Sequence, residues 1–172
     1  MIVTLTGYMG SGKSTVGRKL SSLLGFGFTD LDEYIGRKIG RSVPLILLDD
    51  GETRFRAIEA EALRDLVVMH QLTGESVVIA LGGGTIMTTS LRRLILEDTL
   101  CVYLEASEEC LRARVGSAGD RPLARERFAE RLAERVPVYE MAAVKVATDG
   151  KTPDEVAEEI RHELKKQTSN DI

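Results

Sequence analysis

The chain has 172 residues, 43% of them hydrophobic and 29% charged, which fits one globular domain that buries a core without disulfide or metal. A net charge of −4 excludes a surface built throughout to grip nucleic acid or an anionic membrane. Of the 23 basic residues 16 are Arg, the side chain suited to bidentate capture of carboxylate and phosphate, and what matters is whether they are scattered or gathered.

In chain order, residues 2–6 read as a buried strand that runs straight into a glycine-rich loop, with no signal-peptide pattern before it. Residues 13–24 read as an amphipathic helix carrying Val16, Leu20, Leu23 and Leu24 on one face, ended by Gly25. A short strand at 26–29 and a short helix at 32–39, closed by Gly40, come next. A long helix is expected over 52–70, with Phe55, Ile58, Ala62, Leu66 and Met69 at helical spacing. Residues 76–81 form a third strand ending in three glycines, and 90–96 are helical. A fourth strand at 100–104 precedes a helix at 108–115 that Ser107 can cap. A polar loop at 116–123, a charged helix at 125–135 and a fifth strand at 144–147 lead to a last helix opened by Pro153, with a frayed tail from Thr168. Alternating strands and helices imply an α/β fold, a parallel sheet with helices on both faces and ligands at the carboxyl ends of the strands. Cys101 and Cys110 read as buried free thiols of a cytoplasmic protein, and His70 and His162 as structural residues near helix ends. No apolar run reaches the roughly 18 residues that span a bilayer.

Gly7-Tyr8-Met9-Gly10-Ser11-Gly12-Lys13-Ser14 matches the phosphate-loop pattern G-x-x-x-x-G-K-[ST]. Glycines let successive backbone N–H groups turn toward phosphate oxygens, and the following helix adds its positive end. Nucleotide contacts are expected from Gly10, Ser11, Gly12, Lys13, Ser14 and Thr15, with Lys13 reaching the β- and γ-phosphates and Ser14 ligating Mg²⁺. The only asparagine is Asn170, so an Asn-Lys-x-Asp guanine reader is absent and a small kinase is the easiest class to defend.

Asp30 and Asp32, two residues apart after the second strand, can serve magnesium and the attacking hydroxyl, or cap and charge the start of a helix. Arg56 and Glu59 are three apart and read on spacing alone as an ordinary surface pair. Gly82-Gly83-Gly84 either bring backbone N–H groups close to a ligand or form a flexible turn. No acid stands at that strand end, which leaves metal binding to Ser14 and the Asp30/Asp32 pair. Residues 112–135 hold seven arginines against four acids. Arg121 lies in a loop able to close over a nucleotide, whereas Arg125, Arg127 and Arg131 read as a solvated face.

Together the phosphate loop, Asp30-Leu31-Asp32, Gly51-Glu52-Thr53-Arg54-Phe55-Arg56 with Glu59, the three glycines, Arg121-Pro122-Leu123 and Arg135-Val136-Pro137-Val138-Tyr139 resemble the shikimate kinases over essentially the whole chain. The resemblance implies a three-layer P-loop kinase fold with a five-stranded parallel sheet. It implies one domain over residues 1–172, with a lid at about 112–124 and an acceptor-binding segment at about 31–60. It implies transfer of the γ-phosphoryl group of ATP, with Mg²⁺, to the 3-hydroxyl of shikimate in aromatic amino acid biosynthesis. By position Asp32 resembles the residue that holds the shikimate hydroxyls and is the candidate base, and Asp30 the one that reaches Mg²⁺ through water. Arg56 and Arg135 resemble the carboxylate-holding pair, Gly82 and Gly83 the substrate-side backbone, Arg121 with Lys13 the phosphate cations, and Arg114 and Pro153 the residues flanking adenine. Leu31 stands where the family often has Ser or Thr, and Ala124 where the lid commonly has Leu; neither removes a chemical group. The expected partners are ATP and shikimate, with no nucleic acid or membrane, and the chain is expected to be a monomer. Two other readings stay open: a kinase of another small hydroxy acid such as gluconate, and a non-catalytic nucleotide-binding regulator.

Overall fold

The computed structural model describes residues 1–116 and 127–170, with side chains as far as Gln167. Five strands form one parallel sheet in the order β2-β3-β1-β4-β5: β1 (Ile2–Thr6), β2 (Gly27–Asp30), β3 (Val77–Ala80), β4 (Leu100–Glu105) and β5 (Val144–Ala147). β1 lies at the centre, with Val3 opposite Val78 on one side and Leu100 on the other.

The two-residue side-chain period of each strand feeds two separate cores. Val3, Leu5, Val78, Val102 and Leu104 face α1 (Lys13–Leu24) and the last helix, packing with Val16, Leu20, Val156 and Ile160. Ile2, Val77, Ile79, Cys101 and Tyr103 face the opposite way, onto Leu31 and Ile35 of α2 (Leu31–Ile39) and Phe55, Leu63 and Leu66 of α3 (Val43–Thr73). Leu91 and Ile95 of α4 (Thr89–Asp98) complete that second layer. The result is helix, sheet, helix: the three-layer architecture expected.

Three elements run longer than their sequence patterns, one of them the charged helix expected to end at Arg135, which continues through Pro137 to Tyr139. α3 begins at Val43 rather than 52, because Ser42 stands at its N-cap and Pro44 in its first turn, where a missing N–H costs nothing. Gly51 breaks it internally at φ 81° and ψ 171°, so α3 is two helices meeting at a kink. Asp49 and Asp50 lead directly into that kink. The last helix, α7 (Pro153–Asn170), is helical through the tail expected to fray, which puts His162 in its middle and not near its end. His70 does sit in the last turn of α3.

Between them lie α5 (Glu108–Gly116), whose Cys110 N–H is capped by the Ser107 hydroxyl, and α6 (Phe128–Tyr139). Residues 112–116 of the expected lid belong to α5; residues 117–124, with Arg121, lie outside the described residues, as does Arg125. Cys101 is buried, and burial pushes its thiol up to about 11, whereas Cys110 is only half-buried. Among the described residues no helix is long and apolar enough to cross a membrane.

Candidate active site

The carboxyl ends of β1, β2 and β3 meet at one cleft, and the loops leaving them carry the motif residues. Gly7 to Gly12 follow β1. Gly7, Gly10 and Gly12 all take positive φ, and at Gly10 an added methyl would lie 2.9 Å from Val115 of α5. Gly12 caps α1 in the left-handed conformation, and Lys13 opens the helix. The Lys13 ammonium donates to the carbonyls of Gly7 and Tyr8 at 2.9 and 3.0 Å. Desolvation lowers its pKa to about 8, even though Asp32 and Asp30 nearby favour its charge. Ser11 is buried within the loop, Ser14 and Lys13 are half-buried, and Thr15 is exposed one residue further along α1.

The helix-cap reading of the aspartate pair is realised. Asp30 caps α2, its Oδ1 accepting from the backbone N–H groups of Asp32 and Glu33 at 3.0 and 3.2 Å. Its other oxygen, Oδ2, accepts from the Ser14 hydroxyl at 2.5 Å. A hydroxyl beside a carboxylate is a hard-oxygen pair of the kind that suits Mg²⁺, which keeps several waters and needs few protein ligands. Asp32 faces the cleft from the first turn of α2. Crowding by protein atoms, with Asp30 and Glu59 adding negative charge, pushes its carboxyl up to about 6 against the pull of Lys13 and Arg56.

Arg56 and Glu59 are not a surface pair. The Glu59 side chain is 1% exposed, and its Oε2 accepts from Arg56 Nη1 at 2.7 Å. Burial works against the Arg56 charge, but Glu59, with Glu52, outweighs it and holds the guanidinium above its ordinary value. The three glycines after β3 are what lets α3 approach this closely. A methyl at Gly84 would stand 2.5 Å from Arg56 Nη2, and one at Gly82 would stand 3.2 Å from Glu59 Oε1 and 3.3 Å from Asp32 Oδ1. Here the glycines make room for side chains of α2 and α3 at least as much as for a ligand.

Gly83 binds the cleft to α6. Its carbonyl accepts from the Tyr139 hydroxyl at 2.5 Å and from Arg135 Nη1 at 3.4 Å. The Arg135 guanidinium lies over the Tyr8 ring at 5.4 Å, and Tyr8 packs edge-on against Phe128 at 4.9 Å. Tyr139 is fully buried and stacks on Tyr103; burial pushes its hydroxyl up to about 12, so it stays a neutral donor. On the far side of the phosphate loop, Arg114 of α5 donates to the Gly10 carbonyl at 3.3 Å and to the hydroxyl and carbonyl of Thr148 at 3.2 Å each. Pro153 opens α7 five residues after Thr148, exposed at the end of the same loop.

The fold thus brings Lys13, Asp30, Asp32, Arg56, Gly82, Gly83 and Arg135 to one cleft, with Arg114 and Pro153 at the loop's outer edge. Tyr139, Thr85, Tyr8 and Phe128 were not singled out by the sequence. Tyr139 stands within a quoted run, but nothing in its spacing shows that its hydroxyl reaches Gly83.

Comparison with known proteins gives a consistent answer. The family model described as shikimate kinase matches residues 9–165. The shikimate kinase of Thermus thermophilus is 43% identical over 168 residues, which cover 94% of this chain and 89% of that protein. That of Chlorobium limicola is 38% identical over 173 residues, covering 92% and 84%. Among solved structures, shikimate kinase from Acinetobacter baumannii in complex with shikimate superposes with a TM-score of 0.84 at 32% identity, covering 96% of this chain and 93% of that one.

Proposed function

The chain belongs to the shikimate kinase family, and from that premise we propose that it transfers the γ-phosphoryl group of ATP to the 3-hydroxyl of shikimate, giving shikimate 3-phosphate and ADP. The observation that carries the residue roles is the convergence of a phosphate loop, a cleft carboxylate and two half-buried guanidiniums on the glycines after β3.

A loose phosphoryl-transfer transition state needs positioning and charge neutralisation more than covalent chemistry. The backbone of Gly10, Ser11 and Gly12 cradles the phosphates. Lys13 leaves the carbonyls of Gly7 and Tyr8 for phosphate oxygens, whose charge offsets the desolvation that lowers its pKa. Arg56 and Arg135, the first held by Glu59 and the second laid over Tyr8, receive the shikimate carboxylate from two sides. Asp32 then accepts a hydrogen bond from the acceptor hydroxyl and takes its proton as the bond to phosphorus forms. Ser14, directly, and Asp30, through water, would hold Mg²⁺, which supplies charge neutralisation at the phosphates. Arg121 is assigned the remaining phosphate cation on the resemblance alone. By the same resemblance we assign Arg114 and Pro153 to the adenine, and from the phosphate-loop pattern Thr15 to the phosphates. We further read the protein as a monomer of the cytoplasm working on these two small molecules.

The clamp is tested by Arg56→Ala. The KM for shikimate rises at least tenfold, while the KM for ATP stays within about twofold. Equal effects on both substrates would remove Arg56 from the carboxylate site.

A further inference from the structure

We propose that Thr85 is a positioning residue of the acceptor site: its hydroxyl fixes Glu59, and Glu59 in turn fixes the Arg56 guanidinium that receives the substrate carboxylate. The inference rests on the reading of Arg56 as that clamp.

A carboxylate with 1% of its side chain exposed must have both oxygens satisfied, because water cannot serve either. Glu59 Oε2 is taken by Arg56 at 2.7 Å. Oε1 is taken by Thr85 Oγ1, also at 2.7 Å, from the opposite side. The other acid on Arg56, Glu52, stands 3.5 Å away with its side chain 75% exposed, too long and too wet to orient the guanidinium. The geometry of the clamp therefore depends on how Glu59 is turned, and the terminal torsion of a glutamate is soft.

Thr85 is well placed to hold it. It is fully buried at the first position of a short 3₁₀ turn (Thr85–Met87), and its backbone N–H donates to the Gly82 carbonyl at 3.1 Å. A β-branched side chain there has little χ1 freedom, so the hydroxyl is a fixed donor. The same turn closes the other walls. A methyl added at Gly82 would stand 3.0 Å from Thr85 Oγ1 and 3.2 Å from Glu59 Oε1, and one at Gly84 would stand 2.5 Å from Arg56 Nη2. Without the hydroxyl, Oε1 is left buried and unpaired, the carboxylate turns toward other donors, and Arg56 moves with it. Among the described residues the phosphate loop shares no hydrogen bond with Thr85, so the effect belongs to the acceptor and not to ATP.

The test is steady-state kinetics of Thr85→Val and Thr85→Ser, each in the wild-type and the Arg56→Ala background. Thr85→Val is expected to raise the KM for shikimate about tenfold, the scale of one hydrogen bond to a buried charge, with the KM for ATP within about twofold. Thr85→Ser keeps the donor and returns the KM to within about twofold of wild type. In the Arg56→Ala background Thr85→Val adds less than about twofold, because the group it positions is gone. Valine and serine variants that behave alike, or shikimate and ATP constants that rise together, would overturn the proposal. So would a valine effect that persists undiminished without Arg56. If Arg56→Ala raises the shikimate KM and Thr85→Val does not, this inference alone fails. If Arg56→Ala leaves that constant unchanged, the clamp fails and the inference with it. Should melting followed by circular dichroism show that the valine variant does not fold, Thr85→Ala removes the same hydroxyl without added bulk and is read by the same criteria.

Discussion

Asp32 and Lys13 face each other across the cleft with their pKa values pushed toward one another, the carboxyl up to about 6 and the ammonium down to about 8. Both are assigned roles in their charged forms, so each sets one limb of the pH profile. Below about 6 Asp32 gains a proton and can no longer accept one from the hydroxyl; above about 8 Lys13 loses the charge the phosphates need. We expect kcat/KM to follow a bell with limbs near these two values. ATP phosphates beside Lys13 favour the ammonium, so in kcat at saturating ATP the alkaline limb moves upward. An acid limb that is unchanged in Asp32→Asn would contradict the assignment. At this scale the sequence was informative where the chemistry is written in adjacent residues, as in the phosphate loop and in Asp30 with Asp32. It was misleading for Arg56 and Glu59. Their spacing fits any exposed helix, and only the arrival of the β3 end against α3 makes Glu59 a buried charge.

The glycine run after β3 and the kink in α3 work as one device. Glycine at 82 and 84 lets the second half of α3 press Glu59 and Arg56 against the strand end, and Gly51 lets the first half leave in a different direction. At φ 81° and ψ 171° residue 51 occupies a region open essentially to glycine alone. Although an added methyl would meet no neighbour there, we expect Gly51→Ala to cost about 1–3 kcal/mol in denaturant unfolding from backbone strain. A cost near zero would mean the kink relaxes easily. The elements themselves were largely legible. All five strands and the caps at Gly25, Gly40 and Ser107 announce themselves through local apolar runs and terminators. The helix from Val43 was not, because Asp49-Asp50-Gly51 has the composition of a turn and the chain uses it as a bend between two helices. The hydroxyls of Thr85 and Tyr139 leave no pattern at all, since a single side chain at a tertiary contact has no period.

For the molecule as a whole, a net charge of −4 with 16 arginines left open whether those arginines gather into one cationic site. The described part of the cleft is more balanced than that. Lys13 and Arg56 lie within the field or the hydrogen bonds of Asp30, Asp32 and Glu59, while Arg135 donates to the Gly83 carbonyl and lies over the Tyr8 ring. Such a site orients two small anions, in keeping with a scaffold that holds shape rather than one that attracts polyanions at long range. It also makes the central claim sharply measurable, because positioned charges discriminate acceptors by geometry. The direct measurement is ADP release by the purified chain with ATP and Mg²⁺, in the absence of acceptor, with shikimate, and with gluconate. The account predicts turnover that depends on shikimate and is at least about a hundredfold weaker in kcat/KM with gluconate. ADP release that is the same with and without shikimate, or that gluconate supports equally well, would contradict it.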